Sequence, residues 1–157
     1  METNVITHNL NETLELGKKI APYLFKGSVI TLKGDLGAGK TSFTKGVGFG
    51  LGIKEEIISP TFNILKCYFH KPINMYHIDA YRLEDVPSEN KNIGLDEIIE
   101  GDGITLIEWD EFIKEYIDYN ESLNIKITIN KDNTRNFEIS SVNKRYEPLF
   151  KELNNND

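Results

Sequence analysis

The chain has 157 residues, of which 39% are hydrophobic and 27% are charged, and this fits one domain with a hydrophobic core better than two. The formal net charge of -7 gives the surface no general attraction for nucleic-acid backbones or anionic membranes, so tight direct binding of RNA or DNA is disfavoured. A single cysteine, Cys67, excludes an intramolecular disulfide framework and a metal site built from several cysteines.

The N-terminus carries neither a basic segment nor an apolar stretch of the length that a secretion signal needs. No window of the sequence approaches the ~20 apolar residues of a membrane-spanning helix. We therefore expect a soluble, cytoplasmic protein.

The first part of the chain predicts an edge strand followed by an amphipathic helix. The segment at residues 1–8 is short and contains several β-branched residues, as an edge strand allows. From Asn9 onward, apolar residues recur at steps of three and four, which indicates a helix with one buried face. Asn9 or Asn11 can cap this helix, and Glu12 lies three residues after Asn9 in a capping-box-like arrangement. Pro22 should kink the helix or end it at the preceding residue.

Residues 34–41, with the sequence GDLGAGKT, fit the phosphate-binding pattern G-x-x-x-x-G-K-[ST]. They follow residues 29–32, a β-branched run that predicts a buried strand, and we expect a helix from Thr41 to about Leu51. Backbone N–H groups and the positive end of the helix dipole would then point at a bound phosphate. Lys40 would reach the β- and γ-phosphates, and the Thr41 hydroxyl would ligate Mg²⁺. Other nucleotide contacts are expected from Leu36, Gly37, Ala38 and Gly39.

The second half of this helix contains an unusual number of glycines, namely Gly46, Gly48, Gly50 and Gly52. Each interior glycine costs roughly 1 kcal/mol relative to alanine in a helix. We interpret them as sites of close packing against the sheet and as a frayed helix end, because no G-x-G-x-x-G pattern can be completed there.

The middle of the chain predicts an antiparallel pair of strands. Residues 59–62 (Ser-Pro-Thr-Phe) form a turn that leads into a strand at 63–69, and a short loop separates this strand from another at 73–81. So short a connection indicates a hairpin rather than a crossover helix. Residues 84–94 are predicted to be a mobile polar loop, and residues 95–99 a short helix.

The last third begins with a second buried strand at residues 104–107, which ends in Glu108. A helix is predicted at 111–119, a hairpin of two strands at 123–129 and 136–142, and a weak helix at 144–153. We expect one domain over residues 1–153, followed by a disordered tail at 154–157.

Two acids are placed where a nucleotide-hydrolysing site needs them. Glu108 follows four apolar residues, as a Walker-B carboxylate does at the carboxyl end of a core strand, and it is predicted to ligate Mg²⁺. Asp79 ends a more mixed strand, and it could complete the metal shell or polarise the attacking water. With Lys40, these two acids are the predicted catalytic residues.

Residues 130–133 (Asn-Lys-Asp-Asn) come close to the N-K-x-D pattern with which GTPases recognise guanine. The fourth residue is Asn133, however, so the carboxylate that would pair with the guanine edge is missing. No D-x-x-G lies between the phosphate loop and this point either. Adenine is therefore the expected base, and ATP with Mg²⁺ the expected ligand.

Four motifs together resemble the TsaE (YjeE) family, the small bacterial ATPases of tRNA threonylcarbamoyladenosine synthesis. They are residues 34–41 (GDLGAGKT), 59–62 (SPTF), 77–83 (HIDAYRL) and 107–109 (IEW). One departure is Ala80, where the family usually has a larger aliphatic residue. The N-terminal helix at Asn9 and the segment at Arg135 also resemble, more loosely, family positions that border the nucleotide.

The resemblance implies a P-loop α/β three-layer sandwich with a mixed, mainly parallel sheet and a C-terminal antiparallel hairpin. It also implies that the partners are TsaD and TsaB homologues, with tRNA reached indirectly through that complex and no part for a membrane or DNA. The turn at residues 59–62 would then be a switch that the γ-phosphate orders and hydrolysis releases.

Two other functions remain open at this point. A small-molecule kinase of the nucleoside type would share the phosphate loop, but the chain has only three arginines, Arg82, Arg135 and Arg145, where such kinases use several. A nucleotide-gated binding module would need ATP by occupancy alone, with hydrolysis incidental.

Overall fold

Seven strands form a single mixed sheet in the computed structural model, which describes residues 1–35, 37–60, 63–87 and 94–155. The order of these described strands across the sheet is β1-β7-β6-β2-β5-β4-β3. Their bounds are β1 Glu2–Thr7, β2 Val29–Lys33, β3 Leu65–Tyr68, β4 Met75–Asp79, β5 Ile104–Glu108, β6 Leu123–Ile129 and β7 Arg135–Ser140.

The centre of the sheet is parallel and its edges are antiparallel. β2 pairs in parallel with both β5 and β6, and β5 pairs in parallel with β4. β1 and β6 both run antiparallel to β7, and therefore point the same way, so that five of the seven described strands share one direction. β3 and β4 form an antiparallel pair. The predicted mixed, mainly parallel sheet, the edge strand and both hairpins are confirmed.

Helical segments cover both faces of the sheet, with a hydrophobic cluster between each layer and the strands. Along β5, Ile104 and Leu106 face one layer, and Ile107 faces the other. The first layer contains α1 Leu10–Ile20, α2 Lys40–Leu51 and α4 Glu147–Asn154, with 3-10 turns at Ala21–Tyr23 and Lys144–Tyr146. The second layer contains α3 Leu95–Ile99 and 3-10 segments at Tyr81–Leu83 and Asp110–Tyr116. The predicted three-layer α/β sandwich is confirmed.

The start of α1 follows the predicted capping chemistry with one difference. The Asn9 side chain accepts a hydrogen bond of 2.8 Å from the Glu12 backbone N–H, as an N-cap does. The Glu12 carboxylate accepts from the backbone N–H of His8 rather than from that of Asn9. α1 ends at Ile20, and Pro22 lies in the 3-10 turn that follows.

Two of the glycines of α2 have a different partner from the one predicted. α2 is regular through Leu51 and ends at Gly52 in the left-handed conformation (φ 89°), so the prediction of a frayed end is wrong. A Cβ at Gly46 would overlap the Leu14 carbonyl oxygen of α1, and a Cβ at Gly50 would overlap Ala21. Close packing is therefore correct: Gly46 and Gly50 pack against α1 and its 3-10 extension, whereas a Cβ at Gly48 would overlap Ile57 and approach Met75 of β4, on the sheet side.

The C-terminal boundaries also differ from the prediction. β7 begins at Arg135 and ends at Ser140, so it lies slightly earlier than residues 136–142. Asn154 is the last residue of α4, and its side chain accepts a 2.7 Å hydrogen bond from the Thr3 hydroxyl. Asn154, the first residue of the predicted tail, therefore belongs to α4 and contacts β1. Residues 156–157 lie outside the described residues.

Two other predictions fall partly outside the described part of the chain, namely the turn at 59–62 and the polar loop at 84–94. Thr61, Phe62 and residues 88–93 belong to the undescribed positions. None of the described helices is both long enough and apolar enough to cross a membrane.

Candidate nucleotide-binding site

Three strand ends bring the predicted site residues to one edge of the sheet. The phosphate loop follows β2, Asp79 ends β4 and Glu108 ends β5. In the parallel register, Glu108 lies opposite Leu32 of β2 on one side and Asp79 of β4 on the other. The carboxyl ends of parallel strands are where open α/β sheets bind ligands. The two acids are thus brought together beside the loop, as the sequence predicted.

A cavity of about 670 Å³ opens between these elements. Its walls include six residues that the sequence singled out: Gly37, Gly39, Lys40, Thr41, Asp79 and Glu108. Its volume is in the range typical of small-molecule sites. Four of the predicted loop residues and both predicted acids therefore face a common space large enough for a nucleotide.

The backbone of the loop is shaped to receive an anion. Gly37 and Gly39 have positive φ angles of 83° and 107°, which residues with a Cβ rarely adopt. Gly39 is the N-cap of α2 without a side-chain capping bond, and the N–H of Phe43 donates to the Gly39 carbonyl as α2 starts. The N–H groups of the first helical turn have no partner within a helix and favour a bound phosphate.

Ala38 has a role different from that of its glycine neighbours. Its N–H donates to the Asp35 carbonyl at 3.0 Å, and its side chain is buried in the core on the α1 and α2 side of the sheet. Ala38 therefore holds the loop to the domain.

Lys40, Glu108 and His77 form a compact polar cluster at the mouth of the loop. The Nζ of Lys40 lies 3.4 Å from Oε1 of Glu108. The other carboxylate oxygen, Oε2, lies 2.6 Å from Nε2 of His77. Both Glu108 and His77 are buried, and Lys40 is only 11% exposed. The P-loop lysine and the predicted metal ligand are thus in direct contact.

Opposing influences act on the carboxyl group of Glu108. Burial by itself would raise its pKa, since the charged form loses its hydration. The hydrogen bond from His77 and the nearby ammonium group of Lys40 outweigh burial and hold the pKa of Glu108 below its ordinary value. Glu108 is therefore an anion at neutral pH, as a ligand for a cation must be.

Asp79 is fixed by the backbone around it. Its Oδ1 accepts a 3.1 Å hydrogen bond from the N–H of Tyr81, and its own N–H donates to the Ile64 carbonyl. The next residue, Ala80, is fully buried and donates its N–H to the Glu108 carbonyl at 3.0 Å. Asp79 is therefore held by a bond to Ile64 on the β3 side and by a local bond from Tyr81, while the bond from Ala80 ties the end of β4 to Glu108 of β5.

Aromatic rings line the side of the cavity next to Lys40. Trp109 has a positive φ of 59° directly after β5, and its ring stacks on Phe112 with a centroid distance of 5.7 Å. Tyr81 lies 5.1 Å from the Trp109 ring. The Nζ of Lys40 is 5.3 Å from the centroid of Trp109, within reach of a cation–π interaction.

The remaining predicted contacts lie at the margin of the site. Nη2 of Arg135 donates to the Gly37 carbonyl at 3.2 Å, which joins the start of β7 to the phosphate loop. Asn9 caps α1, and its neighbour Leu10 lines the cavity. Leu36 lies outside the described residues, so its predicted contact with the nucleotide stays a prediction.

The residues present fit ATP and Mg²⁺. Among the described residues, no group of three or more His, Cys, Asp or Glu side chains could hold a metal by itself. Mg²⁺ characteristically takes one or two carboxylates together with phosphate oxygens and water. Thr41 and Glu108 line the same cavity and could supply a hydroxyl and a carboxylate to such an ion.

The sequence did not indicate a site role for several residues of the cavity and its margin, namely Leu10, Ser42, Tyr81, Trp109 and His77. Tyr81 lies two residues after Asp79, and Ser59, which also lines the cavity, belongs to the turn already predicted as a switch. His77 shares a face of β4 with Asp79 by the two-residue period of a strand. This period would have indicated that His77 lies near Glu108 if the sequence had shown that β4 is next to β5.

A loop with this geometry between a core strand and a helix, facing a strand-end acid, defines the class of P-loop α/β domains. The profile of the family described as "Threonylcarbamoyl adenosine biosynthesis protein TsaE" matches residues 7–137. The chain belongs to the TsaE family.

Similar proteins and a solved structure agree with this assignment. The chain is 44% identical over 151 residues to the tRNA threonylcarbamoyladenosine biosynthesis protein TsaE of Bacillus subtilis, which covers 96% of this chain and 93% of that protein. It is 40% identical to the TsaE protein of a Nostoc species, over 90% of this chain and 87% of that protein. The crystal structure of Bacillus subtilis YdiB superposes with a TM-score of 0.83 at 38% identity, covering 99% and 95% of the two chains.

Proposed function

We propose that the protein binds ATP with Mg²⁺ and hydrolyses it in the synthesis of threonylcarbamoyladenosine on tRNA. The observation that carries this proposal is the 3.4 Å contact between the P-loop Lys40 and the buried Glu108 at the mouth of the cavity. The names of the similar proteins support the tRNA modification. In this proposal, hydrolysis resets a complex of TsaD and TsaB homologues between turnovers, and the site of action is the cytoplasm.

Each residue of the cluster has a part in this proposal. Lys40 leaves Glu108 and neutralises charge on the β- and γ-phosphates, while the N–H groups at the start of α2 hold the phosphate oxygens. Thr41 and Glu108 would hold Mg²⁺, which would offset negative charge on the phosphates when bound. Asp79, next to Glu108 in the sheet register, either completes the metal shell or orients the attacking water.

The metal assignment can be tested with a matched pair of threonine variants on α2. Thr41→Val removes the hydroxyl that faces the cavity, whereas Thr44→Val removes a hydroxyl that donates to the Lys40 carbonyl. Binding of a non-hydrolysable ATP analogue, measured over a Mg²⁺ titration, should lose its Mg²⁺ dependence in Thr41→Val and keep it in Thr44→Val. An unchanged Mg²⁺ dependence in Thr41→Val would refute the assignment.

Hydrolysis that resets a partner complex can be separated from a function by occupancy alone. The Glu108→Ala variant should bind ATP but stall tRNA modification after the first round, in a reaction with TsaD and TsaB homologues and excess tRNA. If that variant binds ATP and continues to cycle, the protein is a nucleotide-gated binding module and hydrolysis is incidental.

A small-molecule kinase is the second enzymatic candidate, and the small number of arginines in the chain argues against it. Arg145 lies over the ring of Phe25 at 3.7 Å. Its neighbour Tyr146 donates a hydrogen bond to Ser28, the residue before β2. Arg145 is therefore at the opposite end of β2 from the phosphate loop. Arg135 reaches the loop by its bond to Gly37. Kinases of this type clamp two phosphorylated groups with several arginines. Rapid phosphate transfer to any nucleoside or nucleotide without partner proteins would contradict our proposal.

A further inference from the structure

The carboxylate of Glu108 is held from inside the domain by a fully buried histidine. We propose that His77 is a positioning residue that directs Glu108 toward the phosphate loop and the metal it binds. This inference rests on the proposed function, because the orientation of Glu108 matters only if Glu108 holds Mg²⁺ during ATP binding and hydrolysis.

The sheet register places the two residues within reach of each other. His77 pairs with Leu106 across β4 and β5, and Glu108 is two residues further along β5. Residues two apart in a strand share a face, so His77 and Glu108 are diagonal neighbours on the same side of the sheet. Nε2 of His77 lies 2.6 Å from Oε2 of Glu108, and both side chains are buried.

The direction of this hydrogen bond follows from its chemistry. An ionised carboxylate only accepts hydrogen bonds, so Nε2 of His77 carries the proton and donates it to Glu108. Nδ1 of His77 is buried and has no hydrogen-bond partner within the described part of the chain. The bond to Glu108 is therefore the polar contact that the imidazole contributes here, and an aliphatic residue would fill this position without leaving a buried nitrogen unpaired.

Because of His77, the two carboxylate oxygens of Glu108 have different partners. Oε2 is occupied by His77, whereas Oε1 faces the Nζ of Lys40 at 3.4 Å on the cavity side. Because His77 holds Oε2 from inside the domain, the carboxylate plane cannot rotate freely. Oε1 therefore stays directed at the phosphate loop. Residues that orient a metal ligand in this way are typically worth about 10- to 100-fold in metal affinity or activity.

Two substitutions separate positioning from packing. His77→Leu keeps an apolar side chain but removes the donor, while His77→Gln places an amide N–H close to the position of Nε2. We expect His77→Leu to lower kcat for ATP hydrolysis by about 10- to 100-fold with a smaller change in KM, and His77→Gln to recover most of that loss. The Mg²⁺ concentration for half-maximal binding of a non-hydrolysable ATP analogue should rise in His77→Leu and not in His77→Gln.

A control and a second background make the test specific to Glu108. Tyr146→Phe removes another buried hydrogen bond, that of Tyr146 to Ser28, before β2 and away from the loop, so it should lower stability in urea without changing the Mg²⁺ dependence. In a Glu108→Gln background, His77→Leu should cause no further change in the Mg²⁺ dependence of analogue binding. An added loss of the same size there would mean that His77 acts on the fold rather than through Glu108.

The outcomes distinguish this inference from the function on which it rests. If the wild-type protein shows neither Mg²⁺-dependent binding of the analogue nor ATP hydrolysis with its partners, the proposed function fails. If the wild type shows both, and His77→Leu either matches it or is not rescued by His77→Gln, the positioning role of His77 is wrong and the proposed function stands.

Discussion

Two buried carboxylates lie two residues apart on either side of Trp109, and they have nearly the same set of partners. Glu108 has the Nζ of Lys40 at 3.4 Å and Nε2 of His77 at 2.6 Å. Asp110 has the Nζ of Lys33 at 3.9 Å and accepts a 2.6 Å hydrogen bond from the hydroxyl of Tyr119. Each acid thus combines burial, a lysine and one short hydrogen bond.

The difference lies in what surrounds each pair. Lys40 is 11% exposed and belongs to the phosphate loop, whereas Lys33 is 50% exposed. Glu108 opens on the cavity of about 670 Å³, while Asp110 borders a smaller one of about 310 Å³ together with Thr31 and Asn124 of the sheet. A buried acid with a lysine and a short hydrogen bond is therefore no sufficient sign of a catalytic site. The phosphate loop beside Glu108 is what distinguishes the candidate catalytic site from the cluster around Asp110.

The largest expected effect comes from neutralising each acid in turn. Glu108→Gln should lower partner-stimulated ATP hydrolysis by on the order of 10²- to 10³-fold, the range for removing one preorganised group that stabilises transition-state charge. Asp110→Asn should leave the rate of hydrolysis close to that of the wild type, because its hydrogen bond and its ion pair go to Tyr119 and Lys33, which lie outside residues 34–41. If both variants lost a similar share of the hydrolysis rate, the two acids would not differ in their role in catalysis.

Stability should respond most strongly in the Asp110 cluster. Tyr119→Phe removes the hydroxyl that donates to the buried Asp110, whose Oδ1 has no hydrogen-bond partner among the residues that the structure describes. We expect the free energy of unfolding to fall by about 1–3 kcal/mol, as when a hydrogen bond to a buried charged group is lost. Urea denaturation measures this loss, with Tyr23→Phe, a half-buried tyrosine beside the other core, as the control. An equal effect of both variants would mean that Asp110 does not need this bond.

The two clusters also differ in how far the sequence reveals them. The loop and Glu108 could be predicted because each is a local pattern, a β-branched run followed by glycines or by an acid. Asp79 could be predicted for the same reason, since it ends a strand. Such patterns depend on neighbours in the chain, and a single sequence contains them.

Contacts between distant segments could not be predicted in this way. The bond from His77 to Glu108 requires that β4 and β5 be adjacent in one particular register. The bond from Tyr119 to Asp110 requires the chain after the 3-10 segment to fold back on its start. The glycines of α2 indicated close packing, but the fact that Gly46 and Gly50 pack against α1 and its 3-10 extension depends on how the layers pack.

Alkaline pH should weaken the Asp110 cluster. Burial, the hydrogen bond to Asp110 and the negative charge of Asp110 raise the pKa of Tyr119 above its ordinary value. A group whose pKa is raised by folding stabilises the protein fully below its unfolded pKa, and this contribution is lost as pH rises toward the folded pKa. Above pH ~10 the wild type should therefore lose stability more steeply than Tyr119→Phe. Parallel curves of unfolding free energy against pH would show that Tyr119 is not the titrating group.

The smallest effect should come from the exposed lysine. Lys33→Met removes a half-exposed ammonium group that lies 3.9 Å from Asp110, and pairs of this kind contribute about 0–1 kcal/mol to stability. Salt should reduce even this contribution, because the lysine is open to counterions. The urea midpoint should then differ little between Lys33→Met and the wild type, and less at high salt than at low salt. If Lys33→Met instead costs as much as Tyr119→Phe, Lys33 is a principal partner of Asp110. The two acids would then be held by equivalent charge pairs, and the position of the phosphate loop alone would separate them.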